Sequence, residues 1–262
     1  MEAMQKVVDA LNTNKNIGYE MKMELLATIA DFHVRFTGIS LDGLTQRLQN
    51  LRISSSSLLY SSSICYGPTS NEIVINKSLL NREETDKQHD MMKAVLSMIT
   101  AKGNDYGFNS NELLNAINAG FREVLATNLV GHDGEGFFSD EQYLVNLIFT
   151  KEDFDLLFDA FINGKPDEVI KRLLEKCNDK DKDKVKPFLE QANNNMMTRP
   201  RTKTSMLAPL TMQACSMFGV NQDYICHPLT VAQFSDNTYV DIDKLDDFIK
   251  EQFREWARGK EI

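Results

Sequence analysis

Four histidines and four cysteines sit among 38 carboxylates in this 262-residue chain, and their spacing decides what chemistry is open to it. His33, His89, His132 and His227 stand far apart and form no H-E-x-x-H pair. His33 lies in an apolar helical run and reads as a packed core histidine. Cys65, Cys177, Cys215 and Cys226 make no C-x-x-C pair, so neither a zinc knuckle nor a thioredoxin-type motif is present, and they read as reduced, mostly structural thiols. Cys226-His227 is the closest pairing of soft ligands, but adjacent side chains diverge in most backbone conformations. Asp133-Gly134-Glu135 with Asp140 and Glu141 lacks the alternate-residue oxygen ligands of an EF-hand and reads as a solvated acidic loop. The alternating Asp179 to Lys184 run neutralises itself. No G-x-S-x-G elbow marks a serine nucleophile, and no glycine-rich phosphate loop occurs. Arg199, Arg201 and Lys203 around Pro200 form a small basic cluster that reads as a solvated loop.

The elements that would position these residues are mostly helical. Val7, Val8 and Leu11 give one apolar stripe. After a turn at Asn14 to Gly18, Met21, Leu25, Leu26, Ile29 and Phe32 give a second, and Leu41, Leu44, Leu48 and Leu51 a third. The texture then changes to serine-rich stretches, Ser54 to Ser57 and Ser61 to Ser63. Ile64-Cys65-Tyr66 and Glu72 to Asn76, on either side of Gly67-Pro68, predict a small antiparallel hairpin. Helical spacing resumes from Glu83 to Lys102, ends at a glycine-rich turn, and continues from Ser110, a candidate N-cap, to Val130. Further helices are predicted over Ser139–Phe149, Lys151–Ile162, Pro166–Cys177, Val185–Met197, Ser205–Phe218 and Asp241–Gly259. Ser139 and Thr150 are placed as caps and Pro166 in a first turn.

Ile64 to Gly131 resembles the core of small bacterial zinc metallopeptidases of the gluzincin type. In that family a strand reading I-x-I-N leads through a polar helix start into H-E-x-x-H, then a glycine-rich turn, then a helix opening N-E-G-F-x-E. Here the matching runs are Ile73-Val74-Ile75-Asn76, then Met91 to Thr100, then Gly103 to Phe108, then Asn118-Ala119-Gly120-Phe121-Arg122-Glu123. Two histidines on one helix face bind zinc, the intervening glutamate is the general base, and a glutamate of the second helix completes the ligands. The resemblance places Lys93 and Ser97 at the histidines, Ala94 at the base and Ala119 at the third ligand. Glu123 remains, at a position that supports the ligands in the family. An ammonium where zinc should sit opposes a dication. A shifted register keeps His89 and Asp90 but still meets Lys93 at the second ligand, making His89 a weak alternative metal ligand. The resemblance therefore implies a zincin-like fold without its catalytic centre or its metal.

The formal net charge of -9 with pI near 5.0 repels phosphate backbones, so nucleic acid is not an expected partner. No apolar h-region opens the chain and no run nears the roughly 18 apolar residues of a membrane span, which predicts a cytoplasmic protein off the membrane. The expected architecture is α+β, predominantly helical, with a helical region at 1–53, a zincin-like core at 54–200 and a helical region at 201–262, all able to form one domain. The expected function is a catalytically inactive metallopeptidase-like protein that binds a protein or peptide, without cofactor. Its cleft would lie between the hairpin and the Glu83–Lys102 helix, take an extended peptide by strand addition, and have Lys93, Ser97 and Glu123 in its floor. The alternatives are a hydrolase with an unrecognised site and a helical regulatory or assembly protein.

Overall fold

The computed structural model describes residues 1–57, 63–77, 83–131, 136–221 and 240–259, almost entirely as helices with two small sheets. The predominantly helical α+β class read from periodicity is the one adopted. Two compact units form: the described residues of Met1–Ile99, Leu129–Gly131 and Ala232–Ile262 make the first, those of Thr100–Asn128 and His132–Val231 the second. These boundaries differ from the divisions expected near residues 53 and 200. Shifts in composition mark loops, whereas the first unit is completed by a helix that returns from the far end of the chain.

In the first unit, α1 (Glu2–Thr13) packs against α2 (Tyr19–Arg35) and α3 (Asp42–Gln49), burying Met4, Val7, Val8 and Leu11. Buried Asn14, at the end of α1, donates from Nδ2 to the Leu48 and Leu51 carbonyls at 2.8 Å each and accepts from the Asn16 N–H at 2.8 Å. A buried amide satisfied in this way fixes where α1 meets the end of α3. The expected hairpin forms from β2 (Ile64–Gly67) and β3 (Glu72–Asn76), with Cys65 opposite Val74. Asn71, at φ +46°, closes the turn; its Oδ1 accepts from the Tyr66 hydroxyl at 2.9 Å and its Nδ2 donates to the Arg47 carbonyl at 2.9 Å.

A further strand, β1 (Arg52–Ser56), runs parallel to β3, so the sheet is mixed, in the order β1-β3-β2. Serine's weak strand propensity hides β1 in the sequence, and pairing with the β-branched Ile73-Val74-Ile75 overrides it. Leu58-Leu59-Tyr60 lie outside the described residues. The remaining helices of this unit are α4 (Glu84–Thr100) and α11 (Ile242–Arg258), whose N-cap Asp241 accepts from the Lys244 N–H at 3.2 Å and which packs on α2.

The second unit opens with a correction. The helix expected to reach Lys102 stops at Thr100, and the glycine-rich turn is a two-residue hairpin of β4 (Ala101–Lys102) and β5 (Asp105–Tyr106) with Gly103 at φ +61°. The helices that follow are α5 (Asn115–Val130, its last two residues in the first unit), α6 (Ser139–Ile148), α7 (Phe154–Asn163), α8 (Pro166–Lys176), α9 (Val185–Thr202) and α10 (Leu207–Phe218). Asn111, not Ser110, caps the 3-10 turn that leads into α5, accepting from the Leu113 N–H at 3.1 Å. Ser139 is the first residue of α6 rather than its cap, while Thr150 and Asp153 form the reciprocal capping box ahead of α7. Helix α9 runs past its expected end at Met197 and includes Pro200 near its end, and Lys203 in the left-handed region ends it. Among the described residues no helix is long and apolar enough to cross a membrane.

Phe108, Phe121, Phe154 and Phe161 form the aromatic centre of this unit, with ring centroids 5.6–5.9 Å apart. Gly107 stands against it at φ +56°, and a Cβ there would overlap Asn118 Oδ1 and come within 2.5 Å of the Phe161 ring. Gly107→Ala is therefore expected to lower unfolding stability by about 2–4 kcal/mol, backbone strain and overpacking together. A denaturant midpoint equal to that of the wild type would contradict this packing.

Candidate functional site

Helix α4 carries three of the residues singled out by the resemblance. Lys93 is 3 % exposed, Ala94 2 % and Ser97 0 %. The Ser97 hydroxyl donates to the Lys93 carbonyl at 2.9 Å, and the two residues, four apart, share a helix face. The Lys93 ammonium lies 2.7 Å from Asp90 Oδ1, and the other Asp90 oxygen accepts from the Ser63 N–H at 2.7 Å and hydroxyl at 2.6 Å. Burial alone would push the Asp90 carboxyl up, but the Lys93 ammonium and the Ser63 donors hold it below its ordinary value. Ala119 and Glu123 lie on α5 in the second unit, both buried, and His89 is buried on α4.

Zinc does not fit this residue set. An ammonium already neutralised by Asp90 stands where the resemblance puts the first ligand. Among the described residues no three His, Cys, Asp or Glu side chains converge as a metal site needs. His132, Asp133, Gly134, Glu135, Cys226 and His227 lie outside the described residues. Cys65, Cys177 and Cys215 form no disulfide among the described residues, and His33 is buried, with burial lowering its pKa.

The first unit does contain a cleft between the hairpin and α4. It is a cavity of about 980 Å³, at the upper end of ordinary ligand pockets. Among the described residues its apolar walls include Met21, Ala27 and Val34 of α2, Ile53, Ile64 and Ile75 of one sheet face, Met91 and Met92 of α4, Leu129 and Val130 at the end of α5, and Ile242, Leu245 and Ile249 of α11. Lys93 and Ser97 are not among its lining residues, contrary to expectation. A helix turns about 100° per residue, so the face bearing Glu84, Lys87, Gln88 and Met91 meets the cavity and the Lys93–Ser97 face points elsewhere.

Charge around this cavity is one-sided. Glu20, Glu24 and Asp31 of α2, Glu84 of α4 and Asp246 of α11 face Lys87 and Arg35. The Glu24 carboxyl is raised above its ordinary 4.5 by burial and then by Glu84, with Lys87 opposing and Glu20 adding. Asp31 is likewise raised above 3.8 by burial, with Arg35 opposing and Asp246 adding. Burial thus disfavours the charged form of both carboxyls, and an incoming cation would oppose that shift. The acids of α2 were visible in the sequence as a repeat at positions 20, 24 and 31 along one helix face. The contribution of α11 carried no local signal.

The basic cluster separates into two roles. Arg199 is consumed internally, reaching Asp140 Oδ2 at 2.7 Å, Glu141 Oε2 at 2.9 Å and the Phe137 carbonyl at 2.9 Å. Arg201 and Lys203 are exposed and form no ion pair among the described residues. Asp181, in the Asp-Lys run, is buried and paired with Lys184 at 2.6 Å, so that stretch is a 3-10 helix held to the fold. Compared with known proteins, the chain matches no family model, no curated protein and no solved structure.

Proposed function

We propose that this chain is a non-catalytic binding protein whose first unit holds a basic segment, anchored by apolar side chains, of a partner protein. The observation that carries the reading is the cavity itself: apolar walls from four helices and a sheet face, rimmed by five carboxylates against two cations. Apolar anchors would occupy the Ile, Leu and Met walls, and Lys or Arg side chains would meet Glu24 and Asp31. The gluzincin resemblance enters as scaffold only. What supports that part is the shared face of Lys93 and Ser97 on α4, with an ammonium and a hydroxyl in place of two imidazoles.

Binding is measurable without labels, because the single tryptophan, Trp256, sits on α11 and donates from Nε1 to Asn12 Oδ1 at 2.6 Å. Titration with a synthetic amphipathic peptide bearing lysines should change its emission. A peptide with the same apolar spacing and glutamates in place of lysines should bind at least tenfold more weakly, about 1.4 kcal/mol. Glu24→Gln with Asp31→Asn should erase most of that difference. Affinity for the lysine peptide should fall on acidification through the raised carboxyl range, since protons then compete with the ligand's cations. Equal binding of the two peptides, or no binding of either, would remove the proposal.

A further inference from the structure

Exposed large apolar side chains are few among the described residues, and three of them crowd one stretch of the second unit. Met197 on α9 is 66 % exposed, Met206 at the N-cap of α10 53 % and Met212 on α10 70 %. Arg201 and Lys203, exposed and without an ion pair among the described residues, lie between them. This stretch is held in place. The Met206 N–H donates to Asn195 Oδ1 at 2.8 Å, and the Ser205 hydroxyl and Asn195 Nδ2 donate to Asp140 at 2.5 and 3.2 Å. Exposed thioethers on a stretch anchored at Ser205 and Met206, with cations between them in sequence, can adapt to an irregular apolar wall.

In a chain of net charge -9, a basic and apolar patch is the local exception, and the first unit carries its complement. We propose that the acidic, apolar-walled groove of one copy receives the 197–212 surface of a second copy, the methionines entering the groove and Arg201 and Lys203 meeting its carboxylate rim. This inference rests on the binding reading of the groove and names its occupant. The two faces differ, so the contact is heterologous: each copy still offers a free groove and a free patch, and assembly continues into a ring or an open chain.

The test uses the full chain and light scattering across a concentration series. Wild type should grow beyond monomer with concentration, and added salt should reverse this because the paired charges lie at the surface. Arg201→Glu with Lys203→Glu, and separately Glu20→Lys with Glu84→Lys, should each remain monomeric, all four positions being exposed. An equimolar mixture of the two variants should associate again, since both of its cross-contacts pair opposite charges; a loss caused by misfolding would not be rescued in this way. Wild type that stays monomeric while the lysine peptide still binds the groove would overturn this inference and leave the binding reading standing. Failure of both would remove both. Variants that associate like wild type would also overturn it.

Discussion

Replacing Lys93 with methionine should lower the free energy of unfolding by about 3–5 kcal/mol, the loss typical of removing one partner of a buried ion pair. Lys93 and Asp90 are each 4 % exposed at the side chain and sit 2.7 Å apart, and methionine fills the volume while leaving Asp90 charged and desolvated. The double variant Asp90→Asn, Lys93→Met should recover most of the loss, because no orphaned charge remains. Acidity separates this explanation from simple repacking. In the wild type Asp90 titrates below its ordinary 3.8, so its contribution is present above that value and is lost as pH falls through the depressed one. In Lys93→Met only the Ser63 donors still oppose burial, so the carboxyl rises relative to the wild type, protonation relieves the variant and the stability gap should narrow on acidification. A gap that stays constant with pH in denaturant titrations would show that the ion pair is not the source.

Arg199→Met should be nearly as costly, about 3 kcal/mol or more, and for a geometric reason. One guanidinium holds the neighbouring carboxylates Asp140 and Glu141 and the Phe137 carbonyl, and the Glu141 side chain is 1 % exposed. Burial keeps Glu141 above its ordinary value even with Arg199 beside it, whereas Asp140, helped by Ser205, Arg199 and Asn195, stays below its own. Lysine cannot reproduce the forked contact, so Arg199→Lys should recover less than half of the loss in the same denaturant measurement. Full recovery by lysine would mean that charge, not the planar fork, does the holding.

The helical elements were legible because their apolar residues repeat at helical spacing over long stretches. So were the features that rest on local chemistry: the Gly67-Pro68 hairpin, the Thr150 cap and Pro166 in a first turn. What escaped the sequence depends on partners far along the chain. Serines form β1 only because β3 lies beside them. The N-terminal end of α5 is satisfied from α9, where Asn193 Oδ1 accepts from the Ala116 N–H at 2.8 Å and Nδ2 donates to the Glu112 carbonyl at 2.8 Å. The cleft beside the hairpin was anticipated, yet the lining residues named for it face away from it on α4, and part of its wall and rim, Ile242, Leu245, Asp246 and Ile249, comes from α11 at the far end of the chain. Gly120 shows the same limit. It reads as part of a family pattern, but its local reason is contact: a Cβ there would collide with the Glu141 carbonyl, so α6 can approach α5 only against glycine.

The dependence of α2 on α11 has a consequence for biosynthesis. A ribosome releases α2 long before Ile242–Arg258 leaves the exit tunnel, so the apolar side chains that α11 covers wait through most of translation. Nascent chains thus carry exposed apolar surface that favours aggregation until α11 emerges. Stalling before codon 242 should yield a product that aggregates more readily than one carried past residue 258.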